Sequence, residues 1–170
     1  MAPKKPIEKA TFPHVVESAV ENGSEPEALY AALDLGTNSC RMLIAQPKGA
    51  QFHVIDSFAK SVQLGSGLEK TGKLSRDSMN RTIQALKVCK QKLDKYDVKN
   101  SRLIATEACR RAKNSKDFIL KVFQETGLKL NIIDTEEEAR LAVISCAPLV
   151  SSKSEQLLVV DIGGLSLIHI

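Results

Sequence analysis

The sequence predicts an α/β protein: a mixed five-stranded sheet with helices packed on it. Three observations carry this. Apolar segments between residues 29 and 64 follow one another across short turns, as consecutive strands do. Beyond residue 75, helical apolar stripes alternate with short apolar strands. The chain has 170 residues and is 43% hydrophobic, enough for the core of one lobe.

The elements follow in order. "MAPKKPIEKATFPH" opens residues 1–28, which read as a disordered, soluble tail. Residues 29–35 are apolar except for Asp34, the pattern of a strand buried on both faces. After the turn "GTNS", residues 40–46 form a second strand, and "QFHVIDSFAKSVQL" a third. The Gly-rich loop "GSGLEKTGKLS" leads into a helix from about Arg76 to Tyr96. Its stripe is Met79, Ile83, Leu86, Cys89 and Leu93, spaced by three and four. Lys87, Lys90, Lys92 and Lys95 make its solvated face.

"SRLIAT" is a short buried strand, and "EACRRAKNSKDFILKVFQETG" is helical in two pieces. Ser115 is the expected N-cap of the second piece, Gly127 its stop, and Phe118, Ile119, Val122 and Phe123 its core face. "LNIID" is a further strand. "TEEEARLAVISCA" is a helix ended by Pro148. Residues 29–147 thus make one lobe. Residues 148–170 are a linker followed by the strand "QLLVVDI", the expected start of a second lobe. The order β-β-β-α-β-α-β-α is that of a ribonuclease H-like lobe.

Composition excludes several functions. The net charge of +4 suits an anionic substrate, but no basic face with interleaved aromatics appears. Aromatics are 4% and Trp is absent, so nucleic-acid binding is not expected. No apolar run reaches the eighteen or so residues of a membrane span. Residues 1–28 hold no Arg and five Glu, unlike a mitochondrial leader. Cys40, Cys89, Cys109 and Cys146 lack zinc-site spacing and read as free buried thiols of a cytoplasmic protein.

Four stretches could carry chemistry. In "DLGTNS", Gly36 allows close approach of backbone to a ligand. Thr37, Asn38 and Ser39 add donors, and successive N–H groups in such a turn can cradle an anion. Asp34 could hold Mg²⁺ directly or through water. A plain hairpin with an Asx-type turn explains the same residues. "DIGG", with Asp161, Gly163 and Gly164, repeats the device at the end of a later apolar strand. In "TEEEAR", Thr135 and Glu138 have capping-box spacing, while a carboxylate there could also serve as a general base. "ATEACRRA" places Arg110 and Arg111 just after a strand, as phosphate ligands or as a surface pair.

Taken together, "ALDLGTNSCRMLIA", "LIATEACRRAKNSKDF", "IIDTEEEARL" and "LVVDIGG" resemble the exopolyphosphatase / guanosine pentaphosphate phosphohydrolase family, over about residues 29–164. That family belongs to the actin-like ATPase superfold. The resemblance implies hydrolysis of a terminal phosphoanhydride in inorganic polyphosphate or in pppGpp, the alarmone of the stringent response, with Mg²⁺. It makes Glu138 the catalytic base and Arg110 a phosphate ligand. Asp34, Gly36, Thr37, Asn38 and Ser39 become the first phosphate loop. Asp161, Gly163 and Gly164 become the second, with Asp34 and Asp161 near the metal.

The chain departs from the family after Gly164, where Gly-Ser-Thr-Glu is replaced by Leu165, Ser166, Leu167 and Ile168. The expectation is a truncated, inactive fragment of an active parent. A kinase or ATPase of another actin-like branch, or a non-enzymatic fragment, are the competing expectations. A homodimer of the full-length protein is left open, and the sequence does not choose between polyphosphate and pppGpp.

Overall fold

A computed structural model describes residues 28–49 and 51–146. Its first strands are β1 (Tyr30–Leu35), β2 (Ser39–Lys48) and β3 (Gln51–Ser61). They form an antiparallel meander, with a bulge between Ile44 and Ala45 of β2. Two helices follow, a single turn α1 (Leu68–Thr71) and the long α2 (Arg76–Lys95). Then come β4 (Asn100–Ala105), α3 (Glu107–Arg111), α4 (Ser115–Thr126), β5 (Asn131–Ile132) and α5 (Thr135–Cys146).

The sheet order is β3-β2-β1-β4-β5. β4 runs parallel to β1, and β5 parallel to β4. The element order and mixed sheet are therefore the ribonuclease H-like arrangement expected. Because β1, β4 and β5 are parallel, their carboxyl ends lie at one edge of the sheet. Three connections leave from that edge: the β1–β2 turn, α3, and the N-terminus of α5.

The core lies on one face of the sheet. Leu33, Leu35, Cys40, Met42 and Ile44 point there with Leu103 and Ala105. α2 covers them with Ile83, Leu86, Cys89 and Leu93, four of the five expected stripe residues, while Met79 is half-buried. Ser75 caps α2, its hydroxyl accepting from Ser78 N–H at 3.1 Å. Among the described residues, no helix is long and apolar enough to cross a membrane.

Several expectations need correction. β1 is buried on one face only: Ala31, Leu33 and Leu35 are covered, whereas Tyr30, Ala32 and Asp34 are exposed. Alanine tolerates either side, so a continuous apolar run did not require two covered faces. β4 is likewise buried only at Leu103 and Ala105, with Ile104 half-buried. β5 shrinks to two residues, because Leu128 and Leu130 pack into the core from the preceding loop.

The N-cap of α4 is Asn114 rather than Ser115. Its side chain makes no capping bond and instead clamps a distant segment. Leu74 N–H donates to its Oδ1 at 2.8 Å, and its Nδ2 donates to Leu74 C=O at 3.0 Å. Phe118 and Val122 are core residues, but Phe123 is 45% exposed. Gly127 ends the helix in the left-handed region at φ 72°, as expected.

Of the lysines on α2, Lys87, Lys90 and Lys92 are spent on Glu125, Asp94 and Asp56. Cys40, Cys89 and Cys109 are buried free thiols, while Cys146 is half-buried. The tail and residues 147–170, with Pro148, Asp161, Gly163, Gly164, Leu165, Leu167 and Ile168, lie outside the described residues.

Candidate functional site

Open α/β sheets bind ligands where parallel strands end and their connections diverge. The carboxyl edge of β1, β4 and β5 is such a place. Thr106 N–H donates to Leu35 C=O at 3.1 Å, and Ile133 N–H to Ala105 C=O at 3.1 Å. These bonds set the three strand ends side by side.

The first wall is the β1–β2 turn, closed by Gly36 N–H donating to Ser39 C=O at 2.9 Å. Its carbonyls face the segment after β3. Gly65 N–H donates to Thr37 C=O at 3.0 Å, and both Val62 and Gln63 N–H groups donate to Asn38 C=O at 2.9 Å. A trans peptide points its N–H opposite to its C=O. The N–H groups of Asn38 and Ser39 therefore point away from residues 62–65. Two N–H groups turned to one side of a turn are a feature that anion-binding turns use.

The φ of Gly36 is not positive, and a Cβ there would meet only Ser39 O at 3.6 Å. Nothing in the described fold demands glycine at 36.

Gly65 is the glycine the sequence reading passed over. A Cβ at this position would lie 2.4 Å from Thr37 Cγ2. The Gly65-Ser66-Gly67 run lets residues 62–67 pack directly on the turn, and Thr37 is pinned from behind. The signal was present in "GSG", but its packing partner was not. Gly65→Ala is expected to push Thr37 aside and destabilise the chain by about 1–3 kcal/mol. Urea denaturation checks this, with an unchanged midpoint contradicting it.

Thr37 Oγ1 is buried and makes no hydrogen bond among the described residues. An orphaned buried hydroxyl beside an Asp-Leu-Gly turn is a hard oxygen donor awaiting a partner. Thr37 Oγ1 and the Asp34 carboxylate are oxygen donors of the type magnesium takes, an ion that binds few protein oxygens and keeps water and phosphate ligands. Among the described residues no cluster of three or more metal-ligating side chains is present.

The second wall is α3 with the start of α5. Arg110 reaches from α3 across to α5. Its Nη1 donates to Glu138 Oε2 at 2.7 Å and to Ile133 C=O at 2.9 Å. Its Nη2 donates to Glu107 Oε2 at 2.8 Å. The Arg110 side chain is only 15% exposed, and those of Glu107 and Glu138 are 21% exposed. Burial opposes the charge on Arg110. Hydrogen bonds donated to Glu138 and Glu107 outweigh it and hold the guanidinium above its ordinary pKa.

Glu138 is free for this contact because it does not cap α5. The expected Thr135–Glu138 capping box is not formed. Asp134 is the cap: Glu137 N–H donates to Asp134 Oδ1 at 2.8 Å, and Thr135 is the first helical residue. Asp and Thr are both good caps, and Asp134 stands one position earlier. The shift turns Glu138 toward Arg110 and gives Glu137 a separate job, tying α5 to the sheet through Arg102 and to Arg140.

Hydrogen bonds from Arg140 and then Arg102 hold the Glu137 carboxyl down to about 2, from an ordinary 4.5. A depressed folded pKa means stability present above 4.5 and lost as pH falls from there toward 2. Acid is therefore expected to loosen α5 in that window. Hydrogen exchange of α5 amides in wild type and Glu137→Gln measures it, since the variant should show no such acid dependence. An equal acid response in both would contradict the assignment.

Arg111, expected as a phosphate ligand or a surface residue, is tied to Glu69 at 2.8 Å and to Glu107 at 3.4 Å. Of the expected site residues, Arg110 and Glu138 are in direct contact. The turn Gly36–Ser39 sits on the neighbouring strand end. Asp34 stands one residue before the end of β1, on its exposed face.

Comparison with known proteins adds the family context. A model of the Ppx/GppA phosphatase family matches residues 43–170. A solved structure of an Aquifex aeolicus member of that family is 37% identical, with a TM-score of 0.67. The match covers 71% of this chain and 39% of that one. An exopolyphosphatase from Cytophaga hutchinsonii is 26% identical with a TM-score of 0.76, covering 80% of this chain and 44% of that one. The chain thus spans about two fifths of the length of the solved proteins it matches.

Proposed function

The chain belongs to the Ppx/GppA phosphatase family, and from that premise we propose that the whole protein hydrolyses terminal phosphoanhydride bonds of inorganic polyphosphate, of pppGpp, or of both. The observation that carries this reading is the Arg110–Glu138 contact at the carboxyl edge of the parallel strands. It sets a phosphate-seeking fork beside a carboxylate able to take a proton from water.

The chain's own residues divide the work as follows. The N–H groups of Asn38 and Ser39 receive phosphate oxygens. Arg110 draws the terminal phosphate toward α5, whose N-terminal dipole favours the anion. Glu138 orients the attacking water and accepts its proton. Phosphoryl transfer asks mainly for positioning and charge neutralisation, and these groups supply both. Magnesium would neutralise charge on the phosphate chain when bound, and Asp34, Thr37 and Asp161 are the residues we assign to hold it.

The free thiols suit a reducing compartment, and we place the activity in the cytoplasm. The substrate is a small polyanion, with no nucleic acid or membrane surface involved. Orthophosphate release tests the proposal. The whole protein with Mg²⁺ should free orthophosphate from polyphosphate, pppGpp or both, one unit at a time from the chain end. Release of long internal fragments, or none from either substrate, would contradict it.

A further inference from the structure

Glu107 takes no part in the chemistry described so far, yet it is the third member of the half-buried charge cluster. One carboxylate oxygen accepts from Arg110 Nη2 at 2.8 Å, and the other faces Arg111 Nη1 at 3.4 Å. Arg111 is held in turn by Glu69, in the turn α1 that follows Gly67. Charges alternate along the line Glu69, Arg111, Glu107, Arg110, Glu138. It runs from the segment that backs the β1–β2 turn to the start of α5.

A guanidinium has five N–H donors. Among the described residues, Arg110 commits three: two on Nη1, to Ile133 C=O and Glu138, and one on Nη2, to Glu107. Two remain, the one on Nε and the second on Nη2. Those are what an incoming phosphate can take. Their direction is set by the bonds on both sides of the fork. Without Glu107, the fork is anchored through Nη1 alone and can rotate about that contact.

We propose that Glu107 is a positioning residue: it fixes the guanidinium of Arg110 so that its uncommitted donors face the terminal phosphate while Glu138 stays beside the attacking water. The inference rests on the reading of Glu138 as the base.

The test is steady-state kinetics of the whole protein on polyphosphate, for wild type, Glu107→Gln and Glu107→Asp, with thermal unfolding as a control for folding. Glu107→Gln should lower kcat about tenfold and raise KM several-fold, since a misplaced phosphate loses orientation. Glu107→Asp should recover part of both. If the Gln variant does not fold, the Asp variant alone carries the test, with a reduced kcat and a raised KM expected.

Wild-type kcat and KM in either variant would overturn the inference. So would a loss of kcat at unchanged KM that Asp does not relieve, the mark of a purely structural residue. The underlying reading fails separately, if Glu138→Gln keeps wild-type turnover.

Discussion

Glu138→Gln in the whole protein is expected to lower orthophosphate release by about 10²–10⁴-fold, the usual worth of a positioned general base. Glutamine keeps the side-chain length and can still accept from Arg110 Nη1, so the 2.7 Å contact has a neutral replacement. What it cannot do is take a proton. KM should therefore change little while kcat collapses. The measurement is initial-rate phosphate release on polyphosphate and on pppGpp. A kcat within a few-fold of wild type would remove Glu138 from the chemistry. A large rise in KM with kcat unchanged would make it a binding residue instead.

Arg110→Ala is the second large effect. It deletes the only cation in contact with Glu138 among the described residues and the proposed ligand of the terminal phosphate. Loss of one preorganised donor group at a developing charge costs about 10²–10³ in kcat. Glu138 then loses its counter-charge, while Glu107 keeps Arg111 at 3.4 Å. Arg110→Lys keeps the charge but not the fork, and should restore only part of the rate. A kcat for Arg110→Ala within a few-fold of wild type would break the account of the cluster.

Much of this was legible in the sequence because it rests on local signals. The run from Leu29 to Ser39 predicts a strand and a tight turn, and both form. The spacing from Met79 to Leu93 predicts the buried face of α2, and Gly127 predicts the end of α4. What was not legible depends on distant partners. Asn114 is spent on Leu74 forty residues away, so the cap of α4 could not be told from Ser115 by type alone.

The same holds at the site. Asp134 and Thr135 are both competent caps. With Thr135 as the cap, Glu138 would complete a capping box; with Asp134 as the cap, it is left for Arg110. Glu107 and Glu138 are thirty-one positions apart along the chain. Only the parallel pairing of β4 with β5 brings their helices together. Gly65 was visible as a glycine, but not as the surface against which Thr37 rests.

The measurement closest to the central claim is isotope transfer from water. If Arg110 and Glu138 serve to activate water against a terminal phosphate, each orthophosphate released from polyphosphate in ¹⁸O-water should carry one atom of the label. No phosphate should pass to ADP or to a small acceptor. Unlabelled phosphate appearing on an acceptor, in place of labelled orthophosphate in solution, would make the site a kinase and contradict the account.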